Sequence, residues 1–181
     1  MSLTKRLKGI NLYLIGMMGA GKSSTGMALA EAIGYQFFDT DMVLEAAVGQ
    51  TIPEIFDQQG EAAFRQLETE VLAELSTYKQ LVIATGGGIV TRQENWSYLH
   101  HGIVIWLDVP PELLKRRLEG DMGRPLLQGS DWEDTVERLL QQREHLYAQA
   151  DVRVTVGTGE EIGAIATRTL ELVSARILPT S

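Results

Sequence analysis

The stretch GMMGAGKSS, residues 16–24, follows the apolar run INLYLI (10–15) and precedes the helix-like TGMALAEAIG (25–34). Gly16 and Gly21 bracket four residues, and Lys22 and Ser23 come directly after. Glycines let a backbone wrap an anion, because they accept positive φ and put no side chain in the way. The peptide N–H groups then converge on the anion, and the following helix adds the positive end of its dipole. Lys22 is placed to reach β- and γ-phosphates, and the Ser23 hydroxyl to ligate Mg²⁺. A plain glycine-rich turn is the rival reading. Strand before and helix after favour a loop that holds a nucleoside triphosphate.

Working outward, short apolar runs alternate with helical patterns, the rhythm of a parallel sheet covered by helices. The expected strands are INLYLIG (10–16), YQFFDT (35–40), QLVIATG (80–86), GIVIWLDV (102–109) and VRVTVG (152–157). Several are almost unbroken in Val, Ile and Leu, as strands buried on both faces should be. The expected fold is therefore α/β, three layers α/β/α around a five-stranded parallel sheet. Helices have readable ends. Thr51 and Glu54 form a capping-box pattern, with Gly60 closing that helix. Phe64, Leu67, Val71, Leu75 and Tyr78 form one apolar stripe on the next. A further helix starts at Ser130 or Asp131 with acids in its first turn, and the last spans about 160–178. Residues 119–130, EGDMGRPLLQGS, break the rhythm and read either as a connector or as a mobile lid.

With 181 residues and 44% hydrophobic content, the chain fits one domain with a proper core. It has no cysteine, which excludes disulfides, thiolate metal sites and cysteine nucleophiles. No apolar run approaches the roughly 20 residues that span a bilayer. The basic start MSLTKRLKGI lacks a cleavage site, so no leader and a cytoplasmic location are expected. The 16 Lys and Arg against 24 Asp and Glu give a formal charge of −8. Such a field disfavours nucleic acid and anionic membranes as partners. An anionic substrate would need cations gathered locally.

A phosphate-binding loop names no reaction. A guanine-reading tetrad needs Asn or Thr before Lys-x-Asp, yet neither Asn11 nor Asn95 precedes a lysine and no threonine supplies it. No Leu-Ser-Gly-Gly-Gln-like stretch of a transporter ATPase is present. A small kinase remains. In FFDTD, Asp39 and Asp41 lie just beyond the end of the second strand, two apart in what reads as extended chain. One suits Mg²⁺ support and the other an acceptor hydroxyl, unless both are solvated turn acids. Gly86, Gly87 and Gly88 are either a tight turn or a place for close ligand approach. Arg65, Arg124 and Arg143 are either surface residues or a carboxylate and phosphate clamp.

The ordered set GMMGAGKS, FFDTD, FRQLE, TGGG, GRPLL and QQREHLY resembles the shikimate kinase family from about Ile10 to the last helix. That resemblance implies an ATP-dependent kinase of the nucleoside-monophosphate-kinase type, acting on the 3-hydroxyl of shikimate on the route to chorismate. By the same resemblance, ATP would be held by Gly19, Ala20, Gly21, Lys22, Ser23, Ser24, Arg117 and Arg124, and one Mg²⁺ by Ser23 and Asp39. Shikimate would be held by Asp41, Arg65, Arg143 and Gly86–Gly88, with Phe56 and Phe64 as pocket walls or core. Lys22, Asp41 and Arg124 would be catalytic, with Asp41 either a base or a positioner of the hydroxyl. Arg117 would lie along the adenine. The resemblance further implies a monomer, with a substrate-binding segment at about 39–68. The chain departs from some members in VGTGEEIG (156–163), which lacks an Arg/Pro-rich adenine-side stretch. His100, His101 and His145 match no metal pattern. A kinase for another polyol acid such as gluconate and a non-catalytic nucleotide-binding module are the rival functions.

Overall fold

The computed structural model describes residues 2–121 and 123–177. Its five strands are β1 (Leu12–Ile15), β2 (Gln36–Asp39), β3 (Leu81–Ala84), β4 (Ile103–Asp108) and β5 (Val152–Thr155). They form one parallel sheet in the order β2-β3-β1-β4-β5. Every residue of β1 and β3 is buried, as are the first five of β4. Helices therefore cover both faces, and the unbroken apolar runs are accounted for. The edge strand β5 alternates buried and exposed residues.

The helices are α1 (Leu3–Leu7), α2 (Lys22–Ile33), α3 (Thr40–Val48), α4 (Ile52–Ser76), α5 (Gln93–Leu99), α6 (Pro111–Leu118), α7 (Trp132–Tyr147) and α8 (Ile162–Arg176). The expected end of the last helix at Leu178 lies outside the described residues. α4 opens with the capping box: the Glu54 amide donates to Thr51 Oγ1 at 3.4 Å, and the Thr51 amide donates to Glu54 Oε2 at 2.7 Å. Gly60, at φ 83° and ψ 173°, breaks the run into two helical stretches where the glycine suggests a stop. The stripe on the second stretch ends early. Tyr78 is 55% exposed and lies beyond the helix, while Phe64 and Leu75 are buried.

One expectation fails here. Asp39 and Asp41 do not share an extended segment. Asp39 ends β2 and caps α3, its Oδ1 accepting from the amides of Asp41 at 2.9 Å and Met42 at 3.3 Å. Asp41 stands in the first helical turn. α3 and the two stretches of α4 share a small core of Leu44, Ile55 and Phe64, separate from the main core over the sheet. The irregular segment 119–130 contains a 3₁₀ turn, Pro125–Leu127, with Leu127 buried in the main core; its Met122 lies outside the described residues. Among the described residues no helix is long and apolar enough to cross a membrane.

The strand order places the site. β3 and β4 flank β1, so the chain leaves β1 toward one side for β2 and later crosses to the other for β4. In open parallel sheets ligands bind beyond the carboxyl ends of strands at such a reversal. The loop after β1, the start of α3 after β2 and the glycine turn after β3 meet there.

Candidate active site

The phosphate loop is held by what its sequence dictates. Gly16, Gly19 and Gly21 have φ of 145°, 77° and 88°, values that L side chains rarely adopt. A Cβ on Gly16 would also lie 2.7 Å from the Leu107 carbonyl oxygen of the adjoining strand. Lys22 is buried, and its Nζ donates to the carbonyls of Gly16 at 2.7 Å and Met17 at 2.8 Å. Burial pushes its pKa down to about 8, against the opposing pull of Asp41. The Ser23 hydroxyl donates to Asp39 Oδ2. Two hard oxygen donors side by side fit an ion that keeps most of its shell as phosphate oxygens and water, which is the habit of Mg²⁺. Among the described residues no group of three or more His, Cys, Asp or Glu forms a cage for a metal. His100, His101 and His145 are exposed.

Two adjoining cavities open from this loop. One, of about 540 Å³, is lined by Gly19–Ser24, Asp39, Arg117 and Arg124, with Glu160, Ile162 and Ile165 on its far side. Arg117 Nη1 donates to the Gly19 carbonyl at 3.1 Å, so it lies against the loop. Glu160 is pinned by Arg168 and by the Gly157 amide, at 3.0 Å from the latter. VGTGEEIG and the start of α8 thus supply an apolar and acidic wall. The second cavity, of about 260 Å³, is lined by Asp41, Phe56, Phe64, Arg65, Gly86–Gly88, Arg124 and Arg143. Met18, Asp41, Gly86, Gly87 and Arg124 border both. All the candidate residues read from the sequence therefore lie on one double cleft.

The glycine turn is short of room rather than of conformational freedom, since none of its three residues has positive φ. A Cβ on Gly86 would lie 2.6 Å from Glu68 Oε1 and 3.0 Å from Asp41 Oδ1, and one on Gly88 would lie 2.3 Å from Arg65 Nη1. The bare backbone lets three charged side chains crowd in. The Gly86 amide donates to Thr40 Oγ1 at 3.0 Å, which ties the turn to the start of α3. Phe56 and Phe64 stand 4.8 Å apart between ring centroids, and the Arg65 guanidinium lies 5.1 Å from the Phe64 centroid. Both rings are pocket walls, and Phe64 is also core.

Electrostatically the second cavity is unbalanced. Arg65 is paired: its Nη1 donates to the buried Glu68 Oε2 at 2.8 Å. Arg143 is 5% exposed, and its buried Nη1 has no hydrogen-bond partner among the described residues. The same holds for Asp41 Oδ1. Asp41 is pushed up to about 6, first by burial and then by Glu68 and Asp39, against Lys22 and Arg124. Burial also raises Glu68, against the attraction of Arg65. Arg124 is partly exposed and its Nε donates to Asp121 Oδ2 at 2.7 Å within the same irregular segment. A cavity lined by two arginines and a carboxylate suits a ligand with a carboxylate and a hydroxyl. Glu68 and Tyr147, whose hydroxyl donates to the Gly87 carbonyl at 2.6 Å, escaped the sequence reading. The spacing of Glu68 three residues after Arg65 signals a helical ion pair; nothing local marks Tyr147.

Comparison with known proteins agrees with this geometry. The family model described as shikimate kinase matches residues 18–174. A shikimate kinase of Synechococcus elongatus is 53% identical over 174 residues, covering 96% of this chain and 91% of its own. One from a Nostoc species is 49% identical over 179 residues, covering 99% of each. A solved shikimate kinase from Acinetobacter baumannii, in complex with shikimate, superposes with a TM-score of 0.90 at 40% identity, covering 96% of this chain and 98% of that one.

Proposed function

The chain belongs to the shikimate kinase family, and we infer that it transfers the γ-phosphoryl group of ATP to the 3-hydroxyl of shikimate, giving shikimate 3-phosphate and ADP for aromatic amino acid biosynthesis. The observation that carries this reading is the gathering of Asp41, Arg65, Gly86–Gly88 and Arg143 around one cavity beside the phosphate loop. A small acid with ring hydroxyls suits that lining.

In this reading Arg143 and Arg65 grip the substrate carboxylate, with Glu68 setting the Arg65 fork. Asp41 takes or orients the acceptor hydroxyl, and a carboxylate lifted to about 6 is a better proton acceptor near neutrality than an ordinary one. The amides of the glycine turn and the rings of Phe56 and Phe64 close the pocket. On the nucleotide side the loop amides, Lys22 and Arg124 hold the phosphates, and Arg117 lies along the base. Lys22 gives up its two carbonyl contacts to do so. Ser23 and Asp39 would hold Mg²⁺, which when bound would neutralise charge on the transferring phosphates. Positioning and neutralisation carry the rate, because phosphoryl transfer asks little covalent chemistry of the protein. Arg124 borders both cavities, so segment 119–130 is the lid, and Arg124 leaves Asp121 for phosphate as the lid closes. The single domain works as a monomer, since one chain supplies the whole cleft.

The test is ADP release from MgATP with shikimate, gluconate and nucleoside monophosphates offered in turn. Turnover with shikimate is expected. Turnover only with another acceptor overturns the reading.

A further inference from the structure

Arg143 has an unusual problem for a buried cation. Its Nη1 lacks a hydrogen-bond partner among the described residues, so the seating of α7 helps to aim it. Four residues further along α7, on the same helix face, Tyr147 is fully buried. Its ring stacks at 26° on Trp106 of β4, with centroids 6.0 Å apart, and its hydroxyl donates to the Gly87 carbonyl at 2.6 Å. Gly87 is the junction of the cleft. A Cβ there would lie 3.2 Å from the Met18 amide nitrogen and 3.6 Å from both Arg143 Nη1 and the Gly16 carbonyl. We propose that Tyr147 is a positioning residue for the phosphoryl acceptor, its hydroxyl locking the helix that bears Arg143 to the glycine turn of the same pocket. Burial pushes the phenol up to about 12 against the opposing pull of the neighbouring Arg143 guanidinium, so it remains a donor throughout the working pH range.

This inference rests on the shikimate reading, and the test separates the two. Wild type, Tyr147→Phe and Trp106→Phe are assayed as full chains with shikimate and ATP varied separately, and the Tm of each is taken. Tyr147→Phe should raise the shikimate KM about three- to tenfold, the range of one hydrogen bond, leaving kcat and the ATP KM within about twofold. Trp106→Phe loosens the ring's packing but keeps the hydroxyl, so it should lower Tm without moving the shikimate KM. A shikimate KM unchanged in Tyr147→Phe, or raised equally by both variants, overturns the proposal. A cycle with Arg143→Lys gives a second reading: non-additive effects on the shikimate KM support action through Arg143, and additive ones overturn it. Absence of shikimate turnover by wild type sinks the functional reading itself.

Discussion

Buried polar atoms without partners cost free energy, and among the described residues Arg143 and Asp41, which line one cavity, each keep one. Substituting them should therefore separate stability from activity. Arg143→Met retains the apolar stem and loses the charge; the shikimate KM should rise about thirtyfold or more, corresponding to about 2 kcal/mol or more, while Tm holds or rises. Titration follows the same logic. With Asp41 at about 6 and Lys22 at about 8, kcat/KM of the free enzyme should fall below the first and above the second. Asp41→Asn should abolish the acid limb together with most turnover. For stability the sign is opposite to the usual carboxylate. The folded state holds the Asp41 proton more tightly than the unfolded chain, so the ionised group destabilises the fold at pH 7. That cost is relieved as pH falls through about 6 and is gone below the ordinary value of 3.8. Asp41→Asn should therefore be more stable at pH 7, on the order of 3 kcal/mol, and lose this advantage near pH 4. Calorimetry of the two proteins across that range checks it. Lys22 and Ser23 were legible because loop chemistry is local. Arg143 was legible only as one arginine of a set, since its lack of a partner is a property of the folded surroundings.

Two elements shape the acceptor pocket: the kinked α4, which carries Phe56, Phe64, Arg65 and Glu68, and the glycine turn after β3. Gly60 makes the kink at φ 83° and ψ 173°, and a Cβ there would meet nothing within 4 Å. Gly60→Ala is thus a pure backbone penalty, expected at about 1–3 kcal/mol in denaturant unfolding. Gly88→Ala tests the other element in the opposite way. Its Cβ would strike the end of the flexible Arg65 side chain, so the fold should survive while Arg65 swings off Glu68. The shikimate KM should rise at least tenfold with a Tm change of a few degrees, and an unchanged KM would show that Arg65 does not hold the substrate. The capping box and the Gly60 break were readable because both are written in neighbouring residues. α3 was not. Asp39 looks like a turn acid until its side chain is seen to accept from the Asp41 and Met42 amides, as an N-cap does. The glycine turn was half legible: three glycines announce closeness, but only the fold shows that Arg65, Glu68 and Asp41 are what comes close.

At the scale of the whole molecule, the sheet was the most legible feature, since β1, β3 and β4 are buried on both faces and read as apolar runs. Convergence was the least. Asp41, Arg65, Arg124 and Arg143 come from four separate elements, and only the order β2-β3-β1-β4-β5 folds them onto one cleft. That convergence resolves the charge problem. In the proposed reading a chain of net charge −8 takes an anionic acid and a triphosphate through Lys22, Arg65, Arg124 and Arg143, which line the two cavities. The two fields differ in how salt reaches them. The long-range repulsion acts through solvent and is screened as the Debye length falls to about 8 Å at 0.15 M. Lys22 and Arg143 are buried, so their attraction for a seated ligand is screened much less. Raising ionic strength from about 0.01 to 0.15 M with a weakly coordinating salt should therefore leave kcat/KM for shikimate unchanged or raised. A fall of tenfold or more, as for substrates steered by an attractive field, would mean that the local cations dominate the approach as well as the bound state, and that the net acidity of the surface is irrelevant to capture.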